Sequence, residues 1–77
     1  MVQTGDFGVV LFYSTQAALK AEKALKAAGL TIKLIPVPRQ LSSDCGVCVR
    51  FIWPDKEKVE ETLTATRVET AGVFHVD

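Results

Sequence analysis

Residues 8–29 read GVVLFYSTQAALKAEKALKAAG, an unbroken apolar and aromatic run followed directly by strong helix formers. The apolar run predicts a central strand from Gly8 to Ser14 that is covered on both faces. The next segment predicts a helix over Gln16 to Ala28, capped by Ser14 or Thr15 and stopped by a left-handed Gly29. The many alanines predict a helix lying close against a sheet. Its inward stripe is expected to be Ala18, Ala21, Leu25 and Ala28.

Three further strands and a second helix are predicted downstream. Thr31 to Val37 alternates in polarity and carries prolines at its end, which predicts an edge strand. Val47 to Trp53 is a second strongly apolar strand, and Pro54 ends it. Asp55 is expected to cap a helix that continues to about Thr66. Val68 to Val76 is predicted to be the last strand, interrupted at Gly72.

This order predicts an α+β, ferredoxin-like βαββαβ sandwich, with a four-stranded antiparallel sheet and two helices on one face. We call the sheet face without helices the open face. Val10, Phe12 and Ile52 are expected to point from it, with Cys48 as a further candidate. Such a face would form a homodimer interface or a docking surface.

Length and charge limit the functions that the chain can have. Seventy-seven residues predict a single domain over 1–77, with a surface site instead of a large chamber. Nine basic residues balance nine acidic ones, so no overall field recruits nucleic acid or anionic lipid. The segment CGVCVRFI also places Val47 and Val49 where an RNA-recognition motif needs aromatic planes. The start MVQTGDFGVVLFYS lacks a basic leader and a long apolar run, which predicts a cytoplasmic protein with no membrane partner.

The chain's chemistry lies in RQLSSDCGVCVR, residues 39–50, which holds both cysteines as Cys45-Gly46-Val47-Cys48. A thiolate is a nucleophile and a metal ligand, and neighbouring thiols can form a disulfide. Two thiols and the remote His75 do not complete a tetrahedral zinc site, so we predict neither a metal nor another cofactor. Thioredoxin-type redox chemistry needs the first thiolate at a helix N-terminus, whereas this segment leads into a strand. An internal disulfide stays an open alternative, because Gly46 permits a kink.

The stretches LFYSTQAALKAEKALKAAGL, IPVPRQLSSDCG and VRF together resemble the small selenium/sulfur carrier protein-like family, formerly classed as a domain of unknown function. The likeness spans almost the whole chain, and PR-x-LSS-x-CG, residues 38–46, is its most specific part. The resemblance implies one reactive cysteine, Cys45, that carries sulfur or selenium as a persulfide or selenopersulfide. Cys48 departs from the family pattern, in which a small apolar residue often stands there.

The loop residues have chemical properties that suit such a carrier, whose thiolate must be both exposed and stabilised. The hydroxyls of Ser42 and Ser43 could donate hydrogen bonds to the sulfur, and Arg39 could add positive charge. Asp44 would raise the thiol pKa unless it turns back to cap the loop. Gly46 would let a partner approach closely.

Residues beyond the loop have competing interpretations. Arg50 could pair across a dimer interface or mark an anion pocket beside Cys45. Cys48 is interpreted either as a second catalytic thiol or as a small core residue. His75 is expected to be a plain surface residue, and Trp53 a core anchor at its strand end.

We therefore expect a carrier and not a self-sufficient enzyme. A desulfurase-like protein would donate the sulfur or selenium, and an acceptor protein would take it by thiol exchange. Two alternatives stay open. One is a dimerising or ligand-binding regulatory module with structural cysteines, and the other is a dithiol redox protein.

Overall fold

The computed structural model describes residues 6–38, 41 and 46–76. The strands are β1 (Phe7–Leu11), β2 (Ile32–Pro36), β3 (Val47–Ile52) and β4 (Gly72–Val76). The helices are α1 (Thr15–Ala27) and α2 (Lys56–Ala65), and a short 3-10 turn, Trp53–Asp55, joins β3 to α2. All bounds lie within a few residues of those expected, except the start of β4.

The four strands form one antiparallel sheet in the order β2-β3-β1-β4. The two apolar strands, β1 and β3, therefore lie in the centre, and β2 is an edge strand as its prolines predicted. Together with the two helices this order confirms the ferredoxin-like α+β fold. No helix among the described residues is both long and apolar enough to span a bilayer.

Both helices pack on the same sheet face and enclose the main core. Inward residues of α1 and α2 contact Val10, Val49 and Phe51 of the central strands. The prediction that Val10 and Phe12 point from the open face is wrong, since both are fully buried in this core. In an unbroken apolar run the side-chain period gives no sign of which alternate residues face the helices.

The inward stripe of α1 is confirmed at Ala18, Ala21 and Leu25, which are fully buried. Ala28 is exposed, because the helix ends one residue earlier and Ala28 is its C-cap. Ser14 is the N-cap, and its hydroxyl accepts a hydrogen bond from the Ala17 N–H at 3.1 Å.

Both helices end in a Schellman motif, which pairs the last carbonyls with backbone N–H groups beyond the helix. In α1 the left-handed residue is Gly29, with φ of 83°, and the Leu30 N–H reaches the Leu25 carbonyl at 3.1 Å. In α2 the same position is Arg67, with φ of 58°, and Val68 donates to Leu63 at 2.9 Å.

The end of α2 corrects the expected last strand. Val68 completes the Schellman motif and is buried in the main core, so β4 begins only at Gly72. Without a glycine at the helix end, the sequence carried no stop signal that would separate Val68 from the strand. Asp55 is the N-cap residue of α2, as expected, but its side chain makes no capping hydrogen bond.

The open face carries a smaller apolar cluster, which we call the open-face cluster. Its buried residues are Val9, Leu11 and Cys48. Ile35, Val37, Leu41 and Val76 pack against them. Since Leu41 belongs to the connection between β2 and β3, that connection covers part of the face that was expected to be bare.

Candidate functional site

The connection from β2 to β3, residues 37–46, holds most of the predicted site. Arg39, Ser42, Ser43, Asp44 and Cys45 lie outside the described residues. Their assignment as carrier, anion-stabilising and charge-bearing groups therefore stays a prediction.

Both ends of this connection are attached to the sheet. The Val37 N–H donates to the Gly46 carbonyl at 3.2 Å, which extends the β2–β3 ladder by one step. Leu41 donates its N–H to the Pro38 carbonyl at 3.0 Å and packs on the open-face cluster. Gly46, the residue that follows Cys45, is exposed. Among the described residues nothing lies within 4 Å of a side chain built on Gly46.

Cys48 occupies a different environment from the connection. Its side chain is fully buried among Val9 and Leu11, and its thiol donates a weak hydrogen bond to the Pro36 carbonyl at 3.9 Å. Strand alternation places it on the open face, opposite Ile35 of β2. The interpretation of Cys48 as a small core residue is confirmed, while its catalytic participation stays untested.

Arg50 lies on the open face, two residues beyond Cys48. Its direct neighbours are Val9 on β1 and Lys33 on β2. The guanidinium carbon lies 4.6 Å from the centroid of the Phe7 ring, a cation–π contact. Lys33 and Phe7 were not anticipated as site residues, because the strand register that brings them to Arg50 cannot be read from a single strand. The signal for Lys33 was its outward position on an alternating edge strand.

A cavity of about 230 Å³ opens beside these residues. Its lining is Phe7, Thr31, Ile32, Lys33, Arg50, Phe51 and Ile52. These residues come from the start of β1 and β2 and the end of β3, whereas the connection that contains Cys45 joins the opposite ends of β2 and β3. Ile52 points from the open face, as predicted, since it pairs with Phe7.

The aromatic residues at the end of β3 pack on the helix side of the sheet. Trp53 stacks on Phe51 with ring centroids 6.0 Å apart, and His75 lies 4.4 Å from the Trp53 ring. Trp53 is a partly buried neighbour of the main core, in keeping with an anchor role. His75 is exposed, and its Nε2 is 4.0 Å from Asp6 Oδ1.

Metal-ligating side chains do not gather in the part of the chain that the structure describes. There, no group of three or more histidine, cysteine, aspartate or glutamate side chains is arranged to hold an ion. Cys48 and His75 lie on opposite faces of the sheet, since Cys48 is in the open-face cluster and His75 pairs with Gly8 beside Phe51.

Comparison with known proteins identifies the sequence group to which the chain is similar. The profile of the family described as "Putative Se/S carrier protein-like" matches residues 7–75. A curated relative is the uncharacterised protein YtiA of Escherichia coli (strain K12), which is 38% identical over 50 residues. That alignment covers 65% of this chain and 59% of the relative. No solved structure matches the chain.

Proposed function

The chain belongs to the "Putative Se/S carrier protein-like" family, and we propose that it carries sulfur or selenium on Cys45, which accepts the atom from one protein and passes it to another. The choice of Cys45 over Cys48 depends on the burial of Cys48. The sequence contains two cysteines, and Cys48 is fully buried. A carrier thiol must touch a partner's sulfur, which an enclosed side chain cannot do.

The residues next to Cys45 support this assignment. Gly46 is exposed and, in the described structure, has no neighbour where a side chain would be, so a partner backbone can approach the following peptide closely. The hydrogen bond from the Val37 N–H to the Gly46 carbonyl attaches Gly46 to the sheet. We propose that Ser42, Ser43 and Arg39 stabilise the sulfur anion, and that Asp44 acts as a cap for the loop.

The proposed transfer is two thiol exchanges without net oxidation. The Cys45 thiolate attacks the outer sulfur of a donor persulfide, and the donor's inner sulfur leaves as a thiolate. Cys45 then holds the outer atom as a persulfide, or as a selenopersulfide when the atom is selenium. An acceptor thiolate attacks that atom, and Cys45 leaves as a thiolate. The donor is proposed to be a desulfurase-like protein, and the reducing cytosol is the setting in which free thiols persist.

A second candidate function rests on Phe74. This residue pairs with Val9 and therefore lies on the open face, where it is 40% exposed. A large exposed aromatic side chain beside apolar neighbours suits an interface. The corresponding proposal is a homodimer through the open face, with both cysteines structural.

The experiment is transfer of sulfur from a cysteine desulfurase supplied with cysteine. Wild type, Cys45→Ala and Cys48→Ala are incubated with it in parallel and then measured by intact mass. The two variants remove the same atom from different places, so each is the matched control of the other. We expect wild type and Cys48→Ala to gain one sulfur atom that a reductant removes. Cys45→Ala should gain none.

The other outcomes identify the alternatives. An internal disulfide that both variants abolish would support the dithiol redox protein. No adduct on any form, together with a dimer in sedimentation equilibrium that Phe74→Ser dissociates, would support the interaction module.

A further inference from the structure

We propose that the cavity on the open face binds a small carboxylate that bears a compact apolar group. Lys33 and Arg50 would hold the carboxylate, and Phe7 and Ile52 would contact the apolar group. The cavity lining lies at the opposite ends of β2 and β3 from Gly46. The inference does not depend on the proposed function.

The first argument is the charge arrangement of the two strands. Lys33 of β2 and Arg50 of β3 are direct cross-strand partners on one face. Like charges in this position destabilise an antiparallel pair. Among the described residues, no carboxylate forms a salt bridge with either side chain, although other cations of the chain pair with Glu22 and Glu60. A bound anion would remove the repulsion.

The second argument is the mixed chemistry of the lining. Arg50 is half-buried, and its guanidinium carbon lies 4.6 Å from the centroid of the Phe7 ring. Both residues line the cavity. A planar guanidinium can donate two parallel hydrogen bonds to a carboxylate, and the lysine adds a mobile positive charge. Phe7 and Ile52 pair across β1 and β3 and supply the apolar side.

The third argument is size. Sites for drug-sized ligands usually enclose roughly 300–1,000 Å³. The cavity holds about 230 Å³, which suits a single small ring or branched chain next to a carboxylate. Inorganic phosphate would satisfy the charges but would leave Phe7 and Ile52 without a contact.

The test is an NMR titration of the full chain, in which backbone amide shifts report the site. The probes are benzoate, benzamide and inorganic phosphate. Benzamide matches benzoate in shape but lacks its charge. We expect benzoate to shift the amides of residues 7, 31–33 and 50–52, with weaker effects from the other two probes.

Charge-matched variants locate the binding. Arg50→Gln should weaken benzoate binding about tenfold or more, since it removes the half-buried, charge-assisted donor. Lys33→Gln should weaken it about threefold, because Lys33 is exposed. Lys23→Gln, on the exposed side of α1, removes the same charge and should leave the affinity unchanged. If Arg50→Gln fails to give a folded spectrum, the proposal is tested by comparing the benzoate affinities of Lys33→Gln and Lys23→Gln.

Four results would overturn the proposal. The absence of benzoate-induced shifts at these amides would show that the cavity does not bind a carboxylate of this kind. Equal binding of benzamide would show an apolar pocket without anion recognition, and equal binding of phosphate would show a bare charge site. An equal loss in Lys23→Gln and Lys33→Gln would show only a net-charge effect. None of these results bears on Cys45, so the carrier proposal stands or falls separately.

Discussion

Gly8 of β1 lies directly opposite Phe51 of β3, and the rings of Phe51 and Trp53 fill the space that a side chain on Gly8 would need. A Cβ built on Gly8 would approach the Trp53 ring to 2.7 Å. The absence of a side chain at this position therefore allows the two stacked rings to close the end of the main core.

Substitution of Gly8 should destabilise the fold through this contact. We expect Gly8→Val to lower the free energy of unfolding by about 1–3 kcal/mol, the usual cost of overpacking a core. Urea denaturation measures the change. Gly46→Ala is the control and should unfold nearly as wild type, because the described structure leaves space there. Equal stability of Gly8→Val and wild type would show that the rings move aside freely.

Two leucines of α1 make a matched pair for the packing of the helix. Leu25 is fully buried, whereas Leu19 is 47% exposed. Leu25→Ala should cost about 2–5 kcal/mol of stability, because it leaves a cavity in the main core. Leu19→Ala should change the free energy of unfolding by less than about 0.5 kcal/mol. Equal losses in urea denaturation would contradict the orientation of α1 on the sheet.

The left-handed residues of the two Schellman motifs predict that adding a glycine at one raises stability and that removing the glycine at the other lowers it. Arg67 adopts a φ of 58°, which costs a residue with a side chain roughly 1–2 kcal/mol. Arg67→Gly should therefore raise thermal stability, by about 1 kcal/mol after the entropy cost of glycine. Gly29→Ala, at φ of 83°, should lower it by a similar amount. Calorimetry checks both, and destabilisation by Arg67→Gly would show that its side chain contributes a contact at the helix end.

Cys48 should be unreactive in the folded protein. Its thiol is fully buried, so iodoacetamide should modify it only when the chain unfolds. Peptide mapping after alkylation with and without urea gives the two rates. We expect modification at Cys48 to be slower by a factor of about a thousand or more in buffer, in line with a stability of several kcal/mol. Rapid native modification would return Cys48 to the set of candidate carriers.

The sequence predicted the fold well where local signals agree. Ser14, the alanine-rich segment and Gly29 all indicate the same helix, and Pro36 marks an edge strand. The failures have physical causes. The apolar run 9–12 has no alternation of polarity, so it does not indicate which of Val9 and Val10 faces the helices. Arg67 adopts a left-handed backbone conformation that is usually occupied by glycine.

The site was predictable in part. The Cys-Gly-Val-Cys segment could be recognised as a candidate reactive site because it contains both thiols. The resemblance to the family pointed to Cys45. The burial of Cys48 follows from packing under Leu41 and against Leu11, contacts that join distant parts of the chain. The pairing of Lys33 with Arg50 depends on the register of β2 and β3, which no local pattern of either strand determines.

The central claim is that one thiol, Cys45, carries the transferred atom. The most direct measurement is tandem mass spectrometry of peptides from protein that has been loaded by a desulfurase and then blocked with an alkylating agent. The account predicts an additional sulfur on Cys45 and an unmodified Cys48 in the same molecules. Additional sulfur on Cys48, or on neither cysteine while the desulfurase turns over, would contradict it.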